Sequence, residues 1–143
     1  MNKIQDKTPR RWAGVRFDVF THNYALETLK KEHPQMVYLS YGETDDFAHD
    51  GRYEHYLKSA HNTDKMIQEI WEFLQSDPFY RDYTTLIITT DHGRGIDPDS
   101  GKQSWRHHGT KYKDSEYTWI AMLGKGIDAK GEINDGKLTT PTK

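Results

Sequence analysis

The run Thr84 to Thr90, Thr-Thr-Leu-Ile-Ile-Thr-Thr, constrains this chain more than any other stretch. β-Branched side chains lose freedom in a helix and pack well on a pleated surface, so the run predicts a strand. Elements on either side follow from it. Upstream, Tyr53, Tyr56, Leu57, Ala60, Met66, Ile67, Ile70, Trp71 and Leu74 recur at three and four with charge between them, which predicts a long amphipathic helix over Arg52 to Gln75, ended by Asp77-Pro78. Downstream, residues 93 to 115 are Gly, Asp, Ser, Lys and His without period and read as a long loop, of the length that compact domains keep for function. Glu116 to Leu123 reads as another strand, closed by Gly124 and Gly126.

Nearer the start, Asp18 to Lys31 has its apolar residues at helical spacing and meets a stop at Pro34. Gln35 to Tyr41, short, apolar and ended by Gly42, is expected to be a buried strand. Strand, helix, strand, loop, strand is the order of an α/β domain, a mostly parallel sheet flanked by helices. One such domain over residues 1–143 suits the length, with 127–143 a polar tail.

Three short motifs fall just beyond predicted strands or in the loop between them, the place where ligand sites gather in open α/β sheets. They are Asp45 with His49 in Gly42-Glu-Thr-Asp-Asp-Phe-Ala-His49, then Asp91-His92-Gly93, then His107-His108-Gly109. Carboxylate oxygen and imidazole nitrogen are the donors of hydrolytic metal sites. Asp45 and His49, four apart, share one face of a turn or first helical turn. The structural alternative for Asp45 and Asp46 is to start the following helix through its dipole, and for Asp91-His92 an ordinary turn after a strand.

Composition narrows the partners. Lys plus Arg number 20 and Asp plus Glu 22, interleaved, so there is no basic stripe for nucleic acid. No stretch approaches the roughly 20 apolar residues that span a bilayer, and the N-terminus has no apolar signal core, so no membrane partner or export signal is expected and the compartment is undetermined. Cysteine is absent, which leaves only hard and borderline donors for a metal. With 34% apolar and 13% aromatic residues, the core leans on rings, and exposed apolar surface is expected to favour self-association.

Taken together, the three motifs resemble those of the alkaline phosphatase superfamily, the two-metal phosphate and sulfate ester enzymes that include phosphatases, nucleotide pyrophosphatase/phosphodiesterases, sulfatases, phosphopentomutase and cofactor-independent phosphoglycerate mutases. The resemblance runs from about Gln35 to Gly126. It implies an alkaline-phosphatase-like fold, a first metal held by Asp45, His49 and His108, and a second held in part by Asp91 and His92. His108 is preferred to His107 because the family pairs this histidine with glycine. The implied ion is Zn²⁺, with Mn²⁺ as the second choice, and the implied substrate a small phosphate or sulfate ester. The Ser or Thr nucleophile of the family and the Asp that completes its second metal have no counterpart in Met1 to Pro34. The fold is therefore expected to be incomplete, the C-terminal portion of a larger enzyme or a truncated relative, with no turnover alone. The alternatives are mutase-like phosphotransfer and a non-catalytic metal-binding fragment or pseudoenzyme. A helical phosphohydrolase using His22, His49 and Asp50 conflicts with the strands.

Overall fold

A computed structural model describes residues 2–9 and 11–133; the last ten positions of the expected polar tail lie outside the described residues. The elements are α1 (Asn2–Gln5), α2 (Asp18–Glu32), α3 (Glu43–His49), α4 (Tyr53–Ser76), β1 (Thr85–Thr89) and β2 (Ile120–Gly124). Helix α2 ends where Pro34 requires: His33 turns to the left-handed region at φ 46° and closes it.

The core lies between α2 and α4. Leu26 and Leu29 of α2 meet Ile70 and Leu74 of α4 and Tyr80 in the connection to β1, with Leu39, Trp71 and Phe73 packed around them. Tyr80 remains buried because its hydroxyl donates to the Pro34 carbonyl at 3.1 Å. This contact ties the chain before β1 to the end of α2. The apolar periodicity of Arg52 to Gln75 is realised within one residue at either end, but only Ser59, Ile70 and Leu74 of α4 are buried; Tyr53 and Leu57 at its start are exposed.

Two expectations about the sheet are corrected. Gln35 to Tyr41 is extended but belongs to no strand: Leu39 faces the helical core while Met36 and Tyr38, 88% and 89% exposed, face outward. The missing ingredient is a ladder partner, without which such a segment is not a sheet. Second, the strands that do pair run antiparallel, Leu86 opposite Leu123 and Ile87 opposite Met122, so among the described residues the sheet has two strands and is not parallel. The long loop between them returns the chain beside β1 without the crossover helix that a parallel pair requires. The second strand also starts later than expected, at Ile120.

That sheet has an apolar outer face. Ile87, Ile120 and Met122 are all more than two fifths exposed, and Ile87 and Met122 sit directly opposite each other. β-Bridges from Ile96 to Gln103 and to Lys113 fold the long loop back upon itself. Among the described residues no helix is long and apolar enough to cross a membrane.

Candidate metal centre

Helix α3 exists to present Asp45. It is seven residues long and opens with Glu43, Asp45 and Asp46 in its first turn, where negative charge meets the positive end of the helix dipole. Gly42, at its N-cap, has no side chain to satisfy the first amides. Asp18 of α2 does so instead: its carboxylate, only 2% exposed, accepts from the Gly42 N–H at 2.8 Å and the Glu43 N–H at 3.1 Å. Glu43 returns the bond, its Oε1 accepting from the Asp18 N–H at 3.1 Å. The two helix starts thus cap one another across 25 residues. Burial raises the pKa of both carboxyls, and the charge of Asp18 raises that of Glu43 further. At the far end of α3, Asp50 is held by Arg11 at 2.7 Å and by the Trp12 indole N–H at 3.2 Å, and Arg11 keeps its carboxyl below the usual range.

His92 enters from the end of β1. Its Nδ1 lies 3.0 Å from the Gly93 carbonyl, which can only accept, so this nitrogen carries a proton and Nε2 is the one turned toward Asp45. Gly93 cannot be larger: a Cβ there would stand 2.3 Å from the Tyr117 carbonyl, while its N–H donates to Ser115 at 2.7 Å. The Asp-His-Gly motif is therefore locked against the segment leading into β2 by backbone alone.

His108 arrives from the long loop. Asp45, His92 and His108 each bring one donor atom within 4.8 Å of the others, a group that could hold a metal ion. Asp45 Oδ1 is 3.5 Å from His108 Nε2 and 3.7 Å from His92 Nε2. Donors that share one Zn²⁺ at about 2.0–2.2 Å stand about 3.3–3.5 Å apart in a tetrahedron, close to the two distances from Asp45 Oδ1. Asp45 Oδ1 is also shielded from solvent and receives no aligned hydrogen bond, the condition of an oxygen kept for a ligand. The rings of His92 and His108 stack at 3.5 Å and 10°. Burial, then the neighbouring His92, lowers the pKa of His108, although Asp45 acts the other way. A neutral imidazole is the form that binds metal. Two imidazoles and one carboxylate are the donor types of a catalytic zinc set, so their chemistry fits such an ion, although the stacked rings would have to turn to aim both lone pairs at it.

The other expected residues stand close to the group without being part of it. His49 Nε2 lies 3.4 Å from Asp45 Oδ2 and 3.1 Å from His108 Nε2, so it contacts two members of the group from outside it. Asp91 is 88% exposed, its Oδ1 3.7 Å from His92 Nε2. His107 faces away, its Nδ1 3.3 Å from that of His49. The geometry therefore gathers residues from both expected metal sites into one group, Asp45 from the first motif with His92 from the second. Of the alternative set, Asp50 is taken by Arg11 and Trp12, and both nitrogens of His22 by Tyr41 and Glu69.

Arg94, in a basic loop where solvent exposure would be expected, turns inward instead. Its Nη2 lies 2.7 Å from Asp45 Oδ1 and its side chain is only 15% exposed. It follows Asp-His-Gly by one residue, and that proximity was the available signal; a loop rich in Lys and Arg hides which cation turns inward. Arg106 braces the other side, donating to the His49 carbonyl at 2.9 Å.

No curated protein and no solved structure matches this chain. A sequence profile of the metalloenzyme superfamily matches residues 19–112, well over half of its length and from the second residue of α2 through all three candidate ligands. The chain thus belongs to the metalloenzyme superfamily, within the larger alkaline phosphatase superfamily.

Proposed function

We propose that this chain is the metal-holding part of a phosphate or sulfate ester hydrolase, with Asp45, His92 and His108 as ligands and Zn²⁺ as the ion. The observation that carries the reading is the convergence of three donors from separate stretches upon one solvent-shielded carboxylate oxygen that no aligned donor satisfies. A bound divalent ion would supply Lewis-acid polarisation of an ester oxygen. The chain's own residues hold and orient. Asp45 is aimed by the Asp18–Glu43 caps, His92 by the Gly93 carbonyl, and His49 supports Asp45 and His108. Arg94 and Arg106 add positive charge beside the group, which suits an anionic ester.

Elemental analysis of untagged protein purified without chelator tests this. The wild type should carry about one metal per chain, and Asp45→Ala, His92→Ala and His108→Ala should each lose it. A wild type without metal, or an Asp45→Ala protein that retains it, would refute the assignment.

A further inference from the structure

Arg94 places a permanent positive charge where a metal would also act. Asp45 Oδ1 faces the Nε2 atoms of His92 and His108 at 3.7 and 3.5 Å, and Arg94 Nη2 approaches that same oxygen at 2.7 Å. The approach is close enough for an ion pair. Yet Oδ1 has no hydrogen bond of acceptable angle, so the guanidinium neutralises the oxygen without a well-directed N–H bond to its lone pairs. A structural Arg–carboxylate pair normally takes the bidentate, aligned form. Here Oδ2 of the same carboxylate turns to His49 at 3.4 Å, and the other end of the Arg94 fork, Nη1, makes only a long bond of 3.4 Å to the Arg106 carbonyl. Arg94 therefore meets Asp45 through one nitrogen, at poor angle, in a setting that is 85% shielded on the Arg94 side chain.

We propose that Arg94 is a displaceable counter-ion of the metal centre: it balances Asp45 while the site is empty and swings out when a divalent cation binds. The inference rests on the metal-centre reading above and deepens it. The physical reason is charge. A half-buried carboxylate is costly to leave unpaired, and Arg is always charged, so the empty site is stabilised by the pair. A divalent ion on the same oxygen repels the guanidinium and outcompetes it, since it also gains His92 and His108. Metal affinity is thereby lowered by the free energy of the pair it breaks.

Two measurements on the full chain test the proposal. Zn²⁺ affinity at neutral pH, read by competition with a chromogenic chelator, should be about tenfold tighter in Arg94→Gln than in the wild type, whereas Arg94→Lys, which keeps the charge, should stay near wild type. Independently, phenylglyoxal labelling mapped by mass spectrometry should find Arg94 protected in metal-free wild type and several-fold faster after Zn²⁺ is added. Equal or weaker Zn²⁺ binding by Arg94→Gln, or labelling of Arg94 that Zn²⁺ does not accelerate, would overturn the counter-ion role while leaving the metal centre intact. If the wild type binds no Zn²⁺ and Asp45→Ala behaves identically, the metal-centre reading itself fails. Folding of Arg94→Gln is verified by its far-UV spectrum, and the labelling arm, on wild type alone, holds even if that variant does not fold.

Discussion

Replacing Asp18 by Ala tests whether the start of α3, and hence Asp45, is fixed from α2. The substitution removes the acceptor of two amide bonds at 2.8 and 3.1 Å and leaves the Gly42 and Glu43 N–H groups orphaned in a partly buried place. Loss of a helix cap costs about 0.5–2 kcal/mol, and a buried donor left unsatisfied about 1–3 kcal/mol. Against this stands the relief of a carboxyl whose pKa burial has raised, so its charged form is disfavoured in the fold. A net loss of about 2–3 kcal/mol is expected, which for a chain of this size corresponds to a fall in Tm of roughly 10 °C. Asp18→Asn keeps one acceptor oxygen and should lose about half as much. The sign with pH follows from the raised pKa: the stability that wild type draws from this carboxyl is largest below 3.8, the unfolded value, and declines as pH rises through the folded value. The gap between wild type and Asp18→Asn should therefore narrow from acid toward neutral pH. Urea unfolding of metal-free protein, followed by far-UV circular dichroism, reads all of this. An Asp18→Ala midpoint indistinguishable from wild type would refute the reciprocal cap.

Gly93→Ala places a methyl carbon 2.3 Å from the Tyr117 carbonyl, so backbone must shift; the expected result is a loss of about 2–4 kcal/mol in urea midpoint together with weaker metal binding, and an unchanged midpoint would contradict the packing described. His108 is held below its usual pKa of 6.5, chiefly by burial, so its contribution to the metal-free fold is complete above 6.5 and is lost as pH falls through that value toward the folded one. Thermal unfolding across that range should show wild type losing stability on acidification more steeply than His108→Gln, and parallel curves would count against the assignment.

Helices α2 and α4 were legible because their signals are local. Periodicity marked α4 to within a residue, Pro34 marked the end of α2, and the β-branched run marked β1. Strand pairing is not local. Gln35 to Tyr41 carries a strand's apolar run, yet its backbone finds no ladder, and nothing in seven residues encodes whether a neighbour will come. Likewise the direction of β2 depends on how the loop of residues 93 to 115 returns, and that is set by Gly93, Ile96 and the bridges they make rather than by the strand's own residues.

The candidate centre divides along the same line, and the division says what the site is made of. Donor types at fixed spacing singled out Asp45, His49, Asp91, His92 and the His107-His108 pair, because metal chemistry restricts which side chains can serve, and the family resemblance preferred His108. Their partition was a property of space: sequence grouped Asp45 with His49, which share one helix, whereas the fold brings β1's His92 to Asp45 and leaves His49 at the edge. What spacing could not carry at all is the charge balance, since Arg94, Arg106 and Lys111 look equivalent in a loop, and only one of them approaches the carboxylate. Helix α3 is too short to hold its own geometry, with seven residues and no side-chain cap of its own. Its orientation is imposed from both ends, by Asp18 at the start and by Arg11 and Trp12 on Asp50 at the finish. The ligand is thus local in sequence and its aim is tertiary, so substitutions far from the centre in sequence, at Asp18 or Arg11, should loosen metal binding without touching a donor.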